Sequence, residues 1–336
     1  MGVVLEGEKR PVWPLISAIA KRVRGGGPRA AGRFVLPEPT FAGIADALRA
    51  SRSEKDSLKL QKWAGGIITP LEAAELNEGS HRFPPPTQAW LGKLAALGEF
   101  ATVPPQRYRR QALVPDIDIY SDASIPSVSK SLILGFSGAA GQLMIPTPVF
   151  LQYVSSERYD VVVLRDRTKQ GYAMGIPHYA HNLWDLAQKL TAEIGAATYR
   201  RVYPYGTSMG GFPALRCGLL LKTETAVSGG GQFPWYPPHL SRNTDVPAFD
   251  PLCDCNAKSK TKLICYHSTG SSTDVQSVEM LQRILPIERV PVEAPGHAFL
   301  GQLWSEGRLR AFYDRIFGGD SAQAPAEHGS RADQVA

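Results

Sequence analysis

Three side chains in the second half of the sequence have the types and the order needed to activate a hydroxyl. Gly206-Thr207-Ser208-Met209-Gly210-Gly211 is a G-x-S-x-G pattern lying between a run of strand character and a run of helix character. A serine at the centre of such a turn sits on a sharply bent backbone. Glycines two residues to either side let the incoming and outgoing chains approach without a Cβ clash. The turn lifts the hydroxyl above a sheet edge and aims the next backbone N–H at the same point. A serine hydroxyl attacks only when a base takes its proton, and that base needs an orienting acid. Asp274 and His297 follow Ser208 in the order serine, acid, histidine. Asp245 and Asp250 are rival acids and His267 a rival base. An Asp250–His267 pair keeps the order but leaves the last strand–helix unit unused.

These residues need a frame that gathers them at one place. After Pro105 short β-branched runs alternate with amphipathic stretches. The pattern predicts strands over 112–120, 131–136, 160–164, 201–205, 225–228, 263–267 and 289–292, with helices over 182–196, 211–221, 275–285 and 300–316. Strands alternating with helices imply right-handed crossovers and a parallel sheet covered on both faces. Ser208, Asp274 and His297 each follow a different strand, at its carboxyl end, where ligands bind in open α/β sheets. Pro204 falls inside the strand leading to Ser208 and predicts an early end or a bulge there. Residues 1–105 read as an irregular, partly helical extension. It has helical patterning from Phe41 to Ala64, a start at Pro70, a stiff Pro84-Pro85-Pro86 link, and a short helix around Trp90 and Leu94.

In these motifs the sequence resembles the α/β-hydrolase superfamily, over residues 115–318. The resemblance implies an α/β fold with a mostly parallel, doubly wound sheet and an oxyanion hole of two backbone N–H groups. Met209 would supply one. The loop Leu134-Gly135-Phe136-Ser137-Gly138 would supply the other, from Phe136 or Ser137. It further implies a serine hydrolase of a carboxylic ester or related acyl compound, working without cofactor or metal. Ser208 would be the nucleophile, His297 the base and Asp274 the orienting acid. The same acyl-enzyme could pass its acyl group to a glycan or an alcohol. A non-catalytic binding or scaffold protein, docked through residues 1–105, is the third reading. The domain order that follows is an extension over 1–105, a catalytic domain over 106–318, and a small polar tail over 319–336 expected to be disordered. A long insert over 229–262 carries Phe233, Trp235 and Tyr236, which we read as a lid or acyl-pocket wall, with His178 bordering the pocket.

Composition narrows the alternatives. The chain has 336 residues, 43% hydrophobic and 20% charged, which excludes collagen-like and coiled-coil classes. Four cysteines are too few for a disulfide scaffold, so a cytoplasmic location is expected. Residues 1–33 hold seven basic and two acidic side chains, which is +5 of the net +6. The charge therefore belongs to an arm and not to the body. It allows contact with an anionic surface and brings no nucleic-acid recognition motif with it. The expected partner is a small-molecule or glycan-linked acyl substrate. His178, His181 and Asp185, and separately Cys253, Cys255, Cys265 and His267, have metal-like spacings. Helix-start and core roles account for them, and no metal is expected.

Overall fold

The computed structural model describes residues 36–51, 53–233 and 259–318. The basic arm, most of the insert and the tail lie outside the described residues, and with them the expectations for Trp235, Tyr236, Asp245, Asp250, Cys253 and Cys255.

Local sequence explains each element that opens the described chain. Helix α1 (Phe41–Ala50) begins at Thr40, whose hydroxyl accepts the Gly43 N–H. Helix α2 (Glu54–Ala64) begins at Ser53, which does the same for Asp56. Helix α3 (Pro70–Glu78) carries a reciprocal cap between Thr69 and Glu72, with proline in the first turn. Helix α4 (Pro85–Leu97) starts inside the triple proline. The stiff link expected over 84–86 is thus reduced to Pro84. Pro85 and Pro86 instead sit in the first turn of a helix, where a missing N–H costs nothing.

A single eight-stranded sheet follows, built from β1 (Arg109–Val114), β2 (Ile117–Ser121), β3 (Ser131–Phe136), β4 (Tyr159–Leu164), β5 (Val202–Thr207), β6 (Thr225–Gly229), β7 (Lys262–Ser268) and β8 (Ile287–Val292). Its order is β1-β2-β4-β3-β5-β6-β7-β8. The first two strands are an antiparallel hairpin, where the sequence pattern predicts one strand over 112–120. Val114 and Ile117 face each other across Pro115-Asp116, which turns the chain. β2 meets β4 antiparallel, and every pairing from β4 to β8 is parallel.

Pro204 causes neither a break nor a bulge, contrary to expectation. It pairs in register with Leu134, and β5 runs on to Thr207. The Leu132 N–H donates to Arg201 O, so residues 201, 203 and 205 bond toward β3. Pro204 has the opposite parity, and its nitrogen faces β6, whose pairing begins only at Tyr205. No ladder donor is lost.

Helices cover both faces. On one lie α6 (Leu183–Glu193), α7 (Gly211–Leu221) and α8 (Ser272–Gln282), burying Leu186, Leu190, Ala214, Leu215 and Leu281 against even-numbered residues of β3 and β4 and odd-numbered residues of β7. On the other lie α5 (Thr147–Tyr153), α9 (Phe299–Ser305) and α10 (Leu309–Phe317). Here Phe150, Tyr205, Tyr313 and Phe317 stack or meet edge to face at centroid distances of 5.3–6.4 Å. The last helix, expected to be continuous over 300–316, is broken by Gly307 at φ +69°. The sequence pattern does not predict α5. It is a fully buried helix of seven residues, too short to show a period.

The described residues from Pro37 onward belong to one compact unit, so helices α1 to α4 pack with the sheet. At the amino ends of the strands a buried pair ties the layers together. Lys130 Nζ lies 2.8 Å from Asp160 Oδ1 and donates to Asp122 O, and Tyr199 donates to Asp160 Oδ2.

Candidate active site

Ser208 stands at φ +53°, the left-handed region that a non-glycine residue enters only under constraint. It directly follows β5 and precedes α7. Its glycine neighbours are required for contact and not for freedom of torsion. A Cβ on Gly206 would collide with Gly210 O, and one on Gly210 would strike Phe136 O and lie 2.7 Å from Ser137 O. The junction of β5 and α7 is therefore pressed against the end of β3 with no room for a side chain.

Asp274 lies in the first turn of α8 and is 1% exposed. Ser271 caps the helix, accepting the Asp274 N–H at 3.3 Å. The carboxylate is thereby left for other partners. Its Oδ1 lies 2.6 Å from His297 Nδ1 and accepts from Ser271 Oγ at 3.0 Å. Its Oδ2 accepts the Ser268 N–H at 3.4 Å. His297, in the loop after β8, is about one-third exposed as a side chain. Its Nε2 is buried and has no partner among the described residues.

The segment after β6 joins this pair to the serine. Gly230, at φ +59°, sits where a Cβ would lie 3.1 Å from His297 Cε1 and 3.3 Å from Asp274 Oδ2. Two residues on, the Gln232 N–H donates to Ser208 O at 3.1 Å. On the other side of the serine, a Cβ on Gly138 would lie 3.1 Å from Ser208 Cβ. Ser208, Asp274 and His297 thus occupy one end of the sheet, at the carboxyl ends of β5, β7 and β8. No sequence signal marks Gly138 or Gly230 as neighbours of these side chains, because both contacts are made across the sheet.

The N–H groups around the serine are distributed differently from expectation. Met209 lies in the first turn after β5, where a helix start leaves its N–H without an intrahelical acceptor. Phe136 is inside β3, paired with Leu164 on one side and Gly206 on the other. The Ser137 N–H donates to Leu164 O at 3.0 Å. Sheet pairing runs one residue past the strand end and takes up both candidates. The Gly138 N–H is spent on Gln142 O at 3.0 Å. Ala139 is the next residue, exposed, and no hydrogen bond among the described residues takes up its N–H.

The other expected site residues have surroundings of their own. Phe233 is buried, its ring 5.5 Å from that of Phe212, within the core beneath α7. Among the described residues it packs in the core. His178 is exposed in the loop before α6, at φ +63°. Asp185 accepts the His181 N–H and pairs with Lys189 at 3.2 Å, as a helix-start residue does. His267 is buried, and its Nδ1 has no partner among the described residues, so no acid orients it from that side. Burial, and then the charge of Arg289, push its pKa below the ordinary histidine value. Burial drives the Cys217 and Cys265 thiols up to about 12, so neither is a ready thiolate. Among the described residues no group of histidine, cysteine and carboxylate side chains has a metal-binding arrangement.

The strand order, the parallel run from β4 to β8 and the left-handed serine between β5 and α7 define the α/β-hydrolase fold. No family model and no curated protein matches the chain. Solved structures do. Esterase B from Lactobacillus rhamnosis is similar at 12% identity, over 69% of this chain and 92% of that one, with a TM-score of 0.46. Thermogutta terrifontis esterase 2 aligns at 15% identity, over 66% and 98%, with a TM-score of 0.46. The capsule O-acetyltransferase of Neisseria meningitidis serogroup A aligns at 11% identity, over 62% and 94%, with a TM-score of 0.44. Among the described residues no helix is long and apolar enough to cross a membrane.

Proposed function

We propose that the protein is a serine hydrolase of carboxylic esters or related acyl compounds. The observation that carries the reading is the 2.6 Å contact between Asp274 Oδ1 and His297 Nδ1, with Nε2 left unpartnered at the sheet end that holds the strained Ser208. An acid accepting from Nδ1 fixes the tautomer in which Nε2 carries the lone pair. Ser208 Oγ attacks the acyl carbon as its proton passes to His297 Nε2. The carbonyl π electrons move onto oxygen, where the Met209 N–H and the Ala139 N–H receive the charge. Collapse expels the leaving group, which takes the proton from Nε2. Water, activated by the same imidazole, then releases the acid and restores Ser208.

The test is intact-mass analysis after treatment with a fluorophosphonate, with peptide mapping. One adduct on Ser208, lost in His297→Ala, is expected. Ser208→Ala should lower kcat toward short esters by several powers of ten. A folded protein that takes no adduct, or a Ser208→Ala variant of near-normal activity, would overturn the reading. Adding alcohol or sugar acceptors to the ester assay distinguishes transfer from hydrolysis by the product formed.

A further inference from the structure

We infer that the turn between α2 and α3 positions the loop that carries the Ala139 N–H, so that the helical segment over 41–97 serves the site it precedes in the chain, given Ser208 as the nucleophile.

A helix end leaves its last carbonyls without partners, and here they are taken by the hydrolase sheet and its loops. Lys62 O accepts from Gln142 Nε2 at 3.2 Å. Gly65 O accepts the Thr147 N–H at 2.8 Å, and Gly66 O accepts Thr147 Oγ1 at 2.9 Å together with the Arg165 guanidinium. Ile67 O accepts from Tyr120 at 2.8 Å. Arg165 is held in turn by Asp118 at 2.6 Å. One carbonyl from the last turn of α2 and three from the turn after it thus meet donors from β2, the residue after β4, α5 and the loop after β3.

Two of those donors, Gln142 and Thr147, lie at the far side of the loop that begins at Gly138. Gln142 is held twice, by its side chain to Lys62 O and by its carbonyl to the Gly138 N–H at 3.0 Å. Gly138 packs on Ser208 Cβ. The path from α2 to the nucleophile therefore has three links: Lys62 to Gln142, Gln142 to Gly138, Gly138 to Ser208. Buried Leu143 and Ile145 fix the far half of the loop, and the near half has of its own only the Gly141 N–H to Gly138 O bond at 2.9 Å. Ala139 and Ala140 are exposed with no polar side chain, and Gly141 and Met144 stand at φ +75° and +67°. The turn and the loop approach closely, since a Cβ on Gly65 would lie 3.2 Å from Gln142 Nε2 and one on Gly66 3.4 Å from Gly141 O. A donor to a developing oxyanion works only if it is already in place, and losing one costs about 10²–10³ in kcat. A brace that sets its position to a fraction of an ångström acts on the same quantity.

The experiment compares Gln142→Ala and Thr147→Val with the wild type in the full chain. Gln142→Ala removes the Lys62 link from a partly exposed side chain. Thr147→Val removes the Gly66 link at nearly constant volume. Three readouts are taken: Tm, the kcat, KM and pH profile on a short ester, and hydrogen exchange of the peptide covering 138–147. The expected result is a fall in kcat of about tenfold for Gln142→Ala, a fraction of the loss of a whole donor. KM, pH profile and Tm should stay at wild-type values, and exchange in 138–147 should quicken. Thr147→Val should move kcat the same way with a small loss of Tm. Unchanged exchange, or a kcat within twofold of wild type in both variants, overturns the inference while leaving the nucleophile reading intact. So does an activity loss that merely follows the folded fraction. A wild type with no Ser208-dependent turnover would instead overturn the nucleophile reading and, with it, any role of the turn in positioning a catalytic donor.

Discussion

Replacing Asp274 by asparagine exchanges one oxygen for an NH2 group whose hydrogen-bond partners among the described residues are defined. The residue is 1% exposed, and its side chain accepts three hydrogen bonds, from His297 Nδ1, Ser271 Oγ and the Ser268 N–H. A backbone N–H can only donate, so the Ser268 N–H keeps the remaining oxygen of the Asp274→Asn variant at the Oδ2 position. The NH2 then occupies the Oδ1 position and faces His297. It donates to Nδ1 and forces the ring proton onto Nε2. That tautomer cannot take a proton from Ser208. The Ser271 hydroxyl can rotate and accept from the new group, so it does not oppose this orientation. The expected loss is about 10⁴ in kcat, ~5.5 kcal/mol of barrier, with the site geometry kept. Stability should change by only about 1 kcal/mol, because shape and the Ser268 bond are retained. Steady-state turnover of a short ester, the rate of fluorophosphonate labelling and Tm measure the three quantities. A variant that keeps its kcat to within tenfold would show that Asp274 does not set the tautomer of His297, and the argument from the 2.6 Å contact would be refuted.

Lys130→Met removes the cation facing Asp160 in a pair whose side chains are 0% and 6% exposed, and should cost about 3–5 kcal/mol in urea unfolding at neutral pH. Its kcat per folded molecule should be unchanged, since the pair lies at the amino ends of the strands; a loss under about 1 kcal/mol would count against the pair as a buried tie. Phe233→Ala empties a core position and should cost about 3–5 kcal/mol with KM unchanged, whereas a raised KM at wild-type stability would return Phe233 to a substrate wall. His267 has a folded pKa below its unfolded value, so its neutral form contributes stability above the ordinary histidine pKa. That contribution is lost as pH falls through the ordinary value toward the lowered one. His267→Asn should therefore show a smaller drop in Tm on acidification below neutral than the wild type, and equal drops would exclude burial of His267 as a cause.

Much of the fold and site is legible in the sequence because the signals are local. The glycine spacing around Ser208 reports a backbone crossing within six residues, and the collisions at Gly206 and Gly210 are that crossing. The alternation of strands with helices after Pro105 matches the sheet, apart from the β1–β2 hairpin, because burial on both faces demands β-branched runs. Other features are hidden because they depend on a neighbour distant in sequence. Phe233 is as aromatic as a lid residue, and only its contact with Phe212 makes it core. The Ser137 N–H is excluded as a donor by Leu164, a residue of the adjacent strand.

The sequence by itself determined the order of Ser208, Asp274 and His297, the turn that strains the serine, and the class of sheet that gathers all three. These follow from torsional limits and hydrophobic period, which act between residues close along the chain. Tertiary structure alone decided that Asp274 meets His297, that the sheet takes up the Ser137 N–H, and that the α2–α3 turn reaches the loop after β3. Each of these is a choice among competing hydrogen-bond partners, and such a choice is made only when distant segments are brought within about 3 Å of one another.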